Sequence, residues 1–66
     1  MPFHKNLRNT REASGLTQTE MAKRLGIAIA SYCQFETGAK SPTVYLAGEI
    51  ADILGVTVDY LLKGAK

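Results

Sequence analysis

With a single cysteine, Cys33, the chain cannot close an internal disulfide. No cysteine and histidine cluster has the spacing of a zinc site, and His4 has no companion ligand. Neither a metal nor a cofactor is expected. No apolar run approaches the roughly 20 residues that span a bilayer, and no signal-peptide pattern is present. A cytoplasmic protein without membrane association is expected. Nothing repeats, and no low-complexity stretch or linker divides the chain, so residues 1–66 are read as one domain. Paired carboxylates, a phosphate-binding glycine loop and a nucleophile beside a base are also missing. Enzymatic function is therefore excluded, and no small-molecule ligand is evident. A chain this short buries only about 60% of the surface its unfolded form exposes. Its fold must stand on packing, to which a partner subunit could add.

What the chain does have is apolar residues spaced three and four apart rather than two, which predicts an all-α fold of five helices. Pro2 and Phe3 open the first, which runs to about Ala13 with Leu7 and Phe3 inward, and Ser14-Gly15 ends it. Leu16 is a core candidate in the loop. Thr17 caps the second helix, Glu20 completes a capping box three residues later, and the helix runs to Leu25. The third spans about Ile29 to Glu36 and stops at Thr37-Gly38. After the loop Lys40-Ser41-Pro42, Thr43 caps a fourth helix carrying Val44, Leu46, Ala47, Ile50, Ala51, Ile53 and Leu54. Gly48 inside it costs about 1 kcal/mol relative to alanine and is read as a mark of close helix packing. Gly55 ends that helix. Thr57 caps a short fifth helix, Val58-Asp59-Tyr60-Leu61-Leu62, in which Leu61 and Leu62 close the core.

The segment from Thr17 to Gly38 is the most informative. Met21, Ala22 and Leu25 share one face of its first helix, and Tyr32 and Phe35 share one face of its second. Ala22 is small where two crossing helices approach. Gly26 stands where a left-handed residue commonly ends a helix. This is the spacing of a helix-turn-helix, whose second helix enters the DNA major groove. Net charge is only +2, but residues 1–40 carry +3 and residues 41–66 carry −1. The basic excess lies in the half with this motif, where cations release counterions from DNA phosphates.

The whole chain resembles the phage repressor and Cro family of helix-turn-helix DNA-binding domains. The resemblance is carried by Leu7-Arg8, Arg11-Glu12, Gly15-Leu16-Thr17-Gln18, Glu20-Met21-Ala22, Leu25-Gly26-Ile27, Phe35-Glu36-Thr37-Gly38, Ser41-Pro42, Ile50-Ala51 and Leu54-Gly55-Val56-Thr57-Val58-Asp59-Tyr60-Leu61-Leu62. It implies a compact five-helix domain that binds operator DNA as a homodimer. It further implies that Gln18 contacts a phosphate and braces the recognition helix, and that Arg11 and Glu36 form a structural ion pair. The positions expected to face base edges are Ala28, Ile29, Ala30, Cys33 and Gln34, with Ser31 on a phosphate or a base. Of these, Gln34 suits adenine bidentately, and Ile29 and Ala30 suit thymine methyl groups. Ala28 stands where relatives carry a serine or threonine cap, a loss of about 1 kcal/mol. Tyr32 replaces a branched aliphatic residue. Its ring fills the core, and its hydroxyl needs water or a partner. Cys33 is expected as a reduced thiol facing the groove, and His4 as a surface residue or an occasional phosphate contact. Lys40, with backbone N–H groups near Thr37, Gly38 and Ala39, is placed to hold phosphate.

Val56, Val58 and Tyr60 are expected to meet the same patch of a second subunit. In family members a twofold dimer sets recognition helices about 34 Å apart, one DNA turn, on a near-palindromic operator. The function implied is sequence-specific transcription regulation, as a repressor. The alternative is a helix-turn-helix module that binds protein, such as an antitoxin or anti-repressor, and the apolar recognition helix motivates it.

Overall fold

Three of the helices begin on a threonine hydroxyl, and those caps set the frame. The computed structural model describes residues 3–64, so Pro2, expected to help open the first helix, lies outside the described residues. The elements are α1 (Phe3–Ser14), α2 (Gln18–Leu25), α3 (Ile29–Thr37), α4 (Val44–Leu54) and α5 (Val58–Lys63), with no strand among the described residues. Thr17 Oγ1 accepts from the Glu20 N–H at 3.1 Å, while the Glu20 carboxylate accepts from the Thr17 N–H at 2.8 Å. This closed capping box starts α2 where the sequence places it. Thr43 Oγ1 accepts from Leu46 N–H at 3.2 Å and Thr57 Oγ1 from Tyr60 N–H at 3.0 Å. Each cap satisfies a donor that the first turn leaves without a partner and contributes about 1 kcal/mol. The start of α3 is different. Ala28 holds the extended backbone of a cap, φ −68° and ψ 145°, but its side chain accepts nothing.

Every helix sends one residue to the centre. Leu7, Met21, Tyr32, Ile50 and Leu61, one from each of α1 to α5, are fully buried. Ala22, Leu25, Phe35, Ala51 and Leu54 surround them, and Phe3, Leu16, Ile27, Leu46, Ile53 and Val56 pack half-buried against this core. The Tyr32 and Phe35 rings meet edge to face, with centroids 6.2 Å apart, a favourable aromatic geometry. Buried Asn6 donates to the Leu61 carbonyl at 2.9 Å and ties α1 to α5, a contact with no signature in the sequence.

Two expectations need correction. Leu62 does not close the core but is 53% exposed. Neighbours on a helix point about 100° apart, so Leu61 and Leu62 cannot both face α1. Gly48 marks no close approach, since no atom beyond its neighbours and the backbone of α4 itself lies within 4 Å of where a Cβ would stand. Val56 is half-buried against the core, which leaves Val58 and Tyr60 as the more exposed members of the expected subunit patch.

Candidate nucleic-acid interface

The turn between α2 and α3 is built on Gly26. Its φ of 72° and ψ of 31° are left-handed, a conformation that costs any residue with a Cβ. The next N–H, of Ile27, folds back onto the Ala22 carbonyl at 3.1 Å. Ile27 then packs on the core and directs the chain into α3.

Helix α3 has two unlike faces. Tyr32, Phe35 and Glu36 are buried against the rest of the domain. Ala28, Ile29, Ala30 and Gln34 are exposed, and Ser31 and Cys33 lie half-buried between the faces. Ile29 keeps 45% of its surface open to solvent. A helix whose apolar and hydroxyl-bearing buried side is held this way presents an exposed rod.

What holds it is the Glu36 carboxylate. Arg11 meets it bidentately, with Nε 2.6 Å from Oε2 and Nη2 3.2 Å from Oε1. The Tyr32 hydroxyl donates to Oε2 at 2.5 Å, and Gln18 Nε2 donates to Oε1 at 3.0 Å. Arg11 also donates through Nη1 to the Leu16 carbonyl at 2.8 Å. One carboxylate thus joins α1, α2 and α3, and Arg11 ties in the loop after α1. Burial alone would raise its pKa, but the hydrogen bonds from Arg11, Tyr32 and Gln18 outweigh that and hold it below the ordinary value. Burial first, and the bond to Glu36 second, push the Tyr32 hydroxyl well above its ordinary value. The cluster therefore holds a charged Arg11–Glu36 pair and a neutral tyrosine. Among the described residues no buried side-chain nitrogen or oxygen lacks a hydrogen-bond partner. The hydroxyl of Tyr32 is the member that sequence reading left without a named partner. Its spacing of four from Glu36 on one helix was the available signal.

Gln18 opens α2 and reaches α3 twice, because its Oε1 also accepts from Cys33 Sγ at 3.3 Å. Cys33, expected to face base edges, instead turns its thiol toward α2. The loop after α3 also differs in part from expectation. The Lys40 N–H donates to the Gln34 carbonyl at 3.2 Å and the Ala39 N–H to Thr37 Oγ1 at 3.4 Å. Those two backbone donors are committed within the chain, so the exposed Lys40 side chain is the cationic group this loop offers. His4 is half-buried, its Nδ1 3.0 Å from where a Cβ on Gly38 would stand. It backs the end of α3 rather than standing free on the surface. Lys23 and Arg24 are exposed in the last turn of α2. Among the described residues no group of three or more His, Cys, Asp or Glu side chains is arranged to hold a metal ion, and no helix is long and apolar enough to cross a membrane.

A family model described as helix-turn-helix matches residues 7–61. The chain is 42% identical over 62 residues to the uncharacterized HTH-type transcriptional regulator YqaE of Bacillus subtilis (strain 168), covering 94% of this chain and 53% of that protein. It is 38% identical over 61 residues to the cryptic phage CTXphi transcriptional repressor RstR of Vibrio cholerae, covering 92% of this chain and 54% of that one. The chain thus spans about half the length of these relatives. The P22 c2 repressor, solved in complex with a synthetic operator, shares the fold with a TM-score of 0.89 at 23% identity, over 98% of both chains.

Proposed function

The chain belongs to the helix-turn-helix family, and we propose that it is a sequence-specific DNA-binding transcription regulator acting as a repressor. The observation that carries this reading is the division of α3 into a pinned face and an open one. Glu36 and Tyr32 anchor the inner side, while Ala28, Ile29, Ala30 and Gln34 stay exposed along the outer side. A helix of this size fits the major groove, about 12 Å wide.

In this reading Gln34 pairs with adenine N6 and N7, and Ile29 and Ala30 pack on thymine methyl groups. Ser31, half-buried at the edge of the helix, reaches a phosphate or a base edge. Gln18 and Lys40 hold phosphates and set the register without reading sequence. Two copies meet through Val58 and Tyr60, with Val56 behind them, and bind a near-palindromic operator from the cytoplasm. Repression follows from occupying a promoter. Kinship with RstR, named as a transcriptional repressor, supports this sign of regulation.

Selection of bound sites from random duplexes tests the reading. One near-palindromic motif is expected, and recovery of no motif at low salt overturns it. Gln34→Ala should relax one base position by about 1–3 kcal/mol, whereas Lys40→Ala should weaken all sequences alike and lower the salt slope by about one. Ile29 leaves an apolar spot at the start of the open face. If that spot meets protein instead, a partner covering Ile29 co-purifies and no operator is recovered.

A further inference from the structure

Gln18 carries a carboxamide whose two ends are chemically opposite, and its neighbours distinguish them. Glu36 beside it accepts hydrogen bonds and, paired with Arg11, donates none. The Gln18 nitrogen must therefore face Glu36, as it does at 3.0 Å. That orientation turns Oε1 toward Cys33 Sγ at 3.3 Å, where the thiol acts as donor. One N–H goes to Glu36, the oxygen is occupied, and one N–H of Nε2 remains for a ligand. The side chain sits at the first residue of α2, an end at which backbone N–H groups also favour anions.

We propose that Cys33 is a positioning residue for DNA binding: its thiol latches the Gln18 carboxamide so that the second Nε2 hydrogen is presented to a backbone phosphate. The inference rests on the DNA-binding reading of the helix-turn-helix. It gives Cys33, which the structure turns away from the exposed stripe of α3, a role exerted through α2. A position that sequence places on the reading face thereby contributes to affinity without contributing to base preference.

The test uses the full chain and the duplex recovered by selection. Cys33→Val removes the donor at similar volume, and Cys33→Ser restores one. Cys33→Val should lose roughly two- to tenfold in affinity, the worth of one modest hydrogen bond, with the same loss on every duplex tested. Cys33→Ser should recover most of that loss. In a Gln18→Ala background, Cys33→Val should have no further effect. The Gln18 side-chain amide resonances, followed by NMR without DNA, should stay near their positions in Cys33→Ser and be displaced in Cys33→Val, which loses the donor to Oε1. Unchanged affinity in Cys33→Val, an equal loss in the Gln18→Ala background, or a changed base preference overturns the latch while leaving DNA binding intact. Failure of the unaltered protein to bind any duplex overturns the DNA-binding reading and the proposal with it.

Discussion

Replacing Glu36 with glutamine tests whether charge, rather than packing alone, holds α3 in place. The carboxylate accepts four hydrogen bonds, from Arg11 twice, Tyr32 and Gln18. A carboxamide of the same shape has one accepting oxygen, and its NH2 group sets donor against donor toward Arg11 or Gln18. Arg11 would keep its charge with its side chain only 10% exposed and its main counter-charge gone. Removing one partner of a buried pair costs about 3–5 kcal/mol. A domain of this length is stable by about 3–10 kcal/mol in total. The substitution should therefore remove a third or more of the stability. Urea denaturation followed by far-UV circular dichroism reads it. With a slope on the order of 1 kcal/mol per M, the midpoint should fall by about 3 M or the protein should be unfolded without urea. A control separates charge from volume. The triple exchange Arg11→Met, Tyr32→Phe, Glu36→Leu removes the buried ion pair and the tyrosine hydroxyl together, leaving the half-buried Gln18 to turn to water, and replacing a buried pair with apolar groups is often neutral. It should recover most of the loss. A Glu36→Gln protein within about 0.5 kcal/mol of the parent would refute the reasoning.

The same cluster predicts opposite limits in pH. Glu36 titrates below its ordinary value of 4.5, so its contribution is complete above that value and is lost as pH falls through the folded one. Tyr32 is raised above its ordinary value of 10.0, so its contribution is complete below pH 10.0 and is lost as pH climbs beyond it. Denaturation midpoints across pH should fall at both ends, and Tyr32→Phe should flatten the alkaline fall; an unaltered alkaline limb in that variant would count against the Tyr32 assignment. Gly48→Ala should stabilise α4 by about 0.5–1 kcal/mol, because the added methyl meets no atom beyond its neighbours and the backbone of α4 itself within 4 Å. A lower melting temperature would mean that something does approach there. Ala28→Ser should supply the missing acceptor at the start of α3 and raise stability by about 1 kcal/mol, and an unchanged melting temperature would show that the hydroxyl does not reach the Ala30 or Ser31 N–H.

The parts of this fold that sequence reading reached are those decided within a few residues. Thr17 and Glu20 cap α2 across three positions, and their bonds form from the same turn. Gly26 ends that helix because the left-handed conformation is local. The parts it missed depend on where distant elements lie. Spacing puts Leu61 and Leu62 on neighbouring faces, but only the position of α1 decides that Leu61 turns inward. A nearer contact was missed too: the Ala39 N–H, expected among the phosphate donors, is taken by Thr37 Oγ1 two residues back.

The amino-acid order alone determined five helices, four of the five apolar residues that meet at the centre as core members, and the division of residues 17–38 into two helices around a tight turn. Leu7, Met21, Tyr32 and Leu61 lay on readable stripes, and Ile50 was one of several candidates along α4. Periodicity and caps suffice for this because a helix is built from contacts at most four residues long. Which polar groups remain available to a ligand was decided by tertiary structure. Arg11, Gln18 and Tyr32 reach one carboxylate from three different helices. A hydrogen bond forms only within about 3 Å, and distances that short between separate helices exist only after the chain has packed.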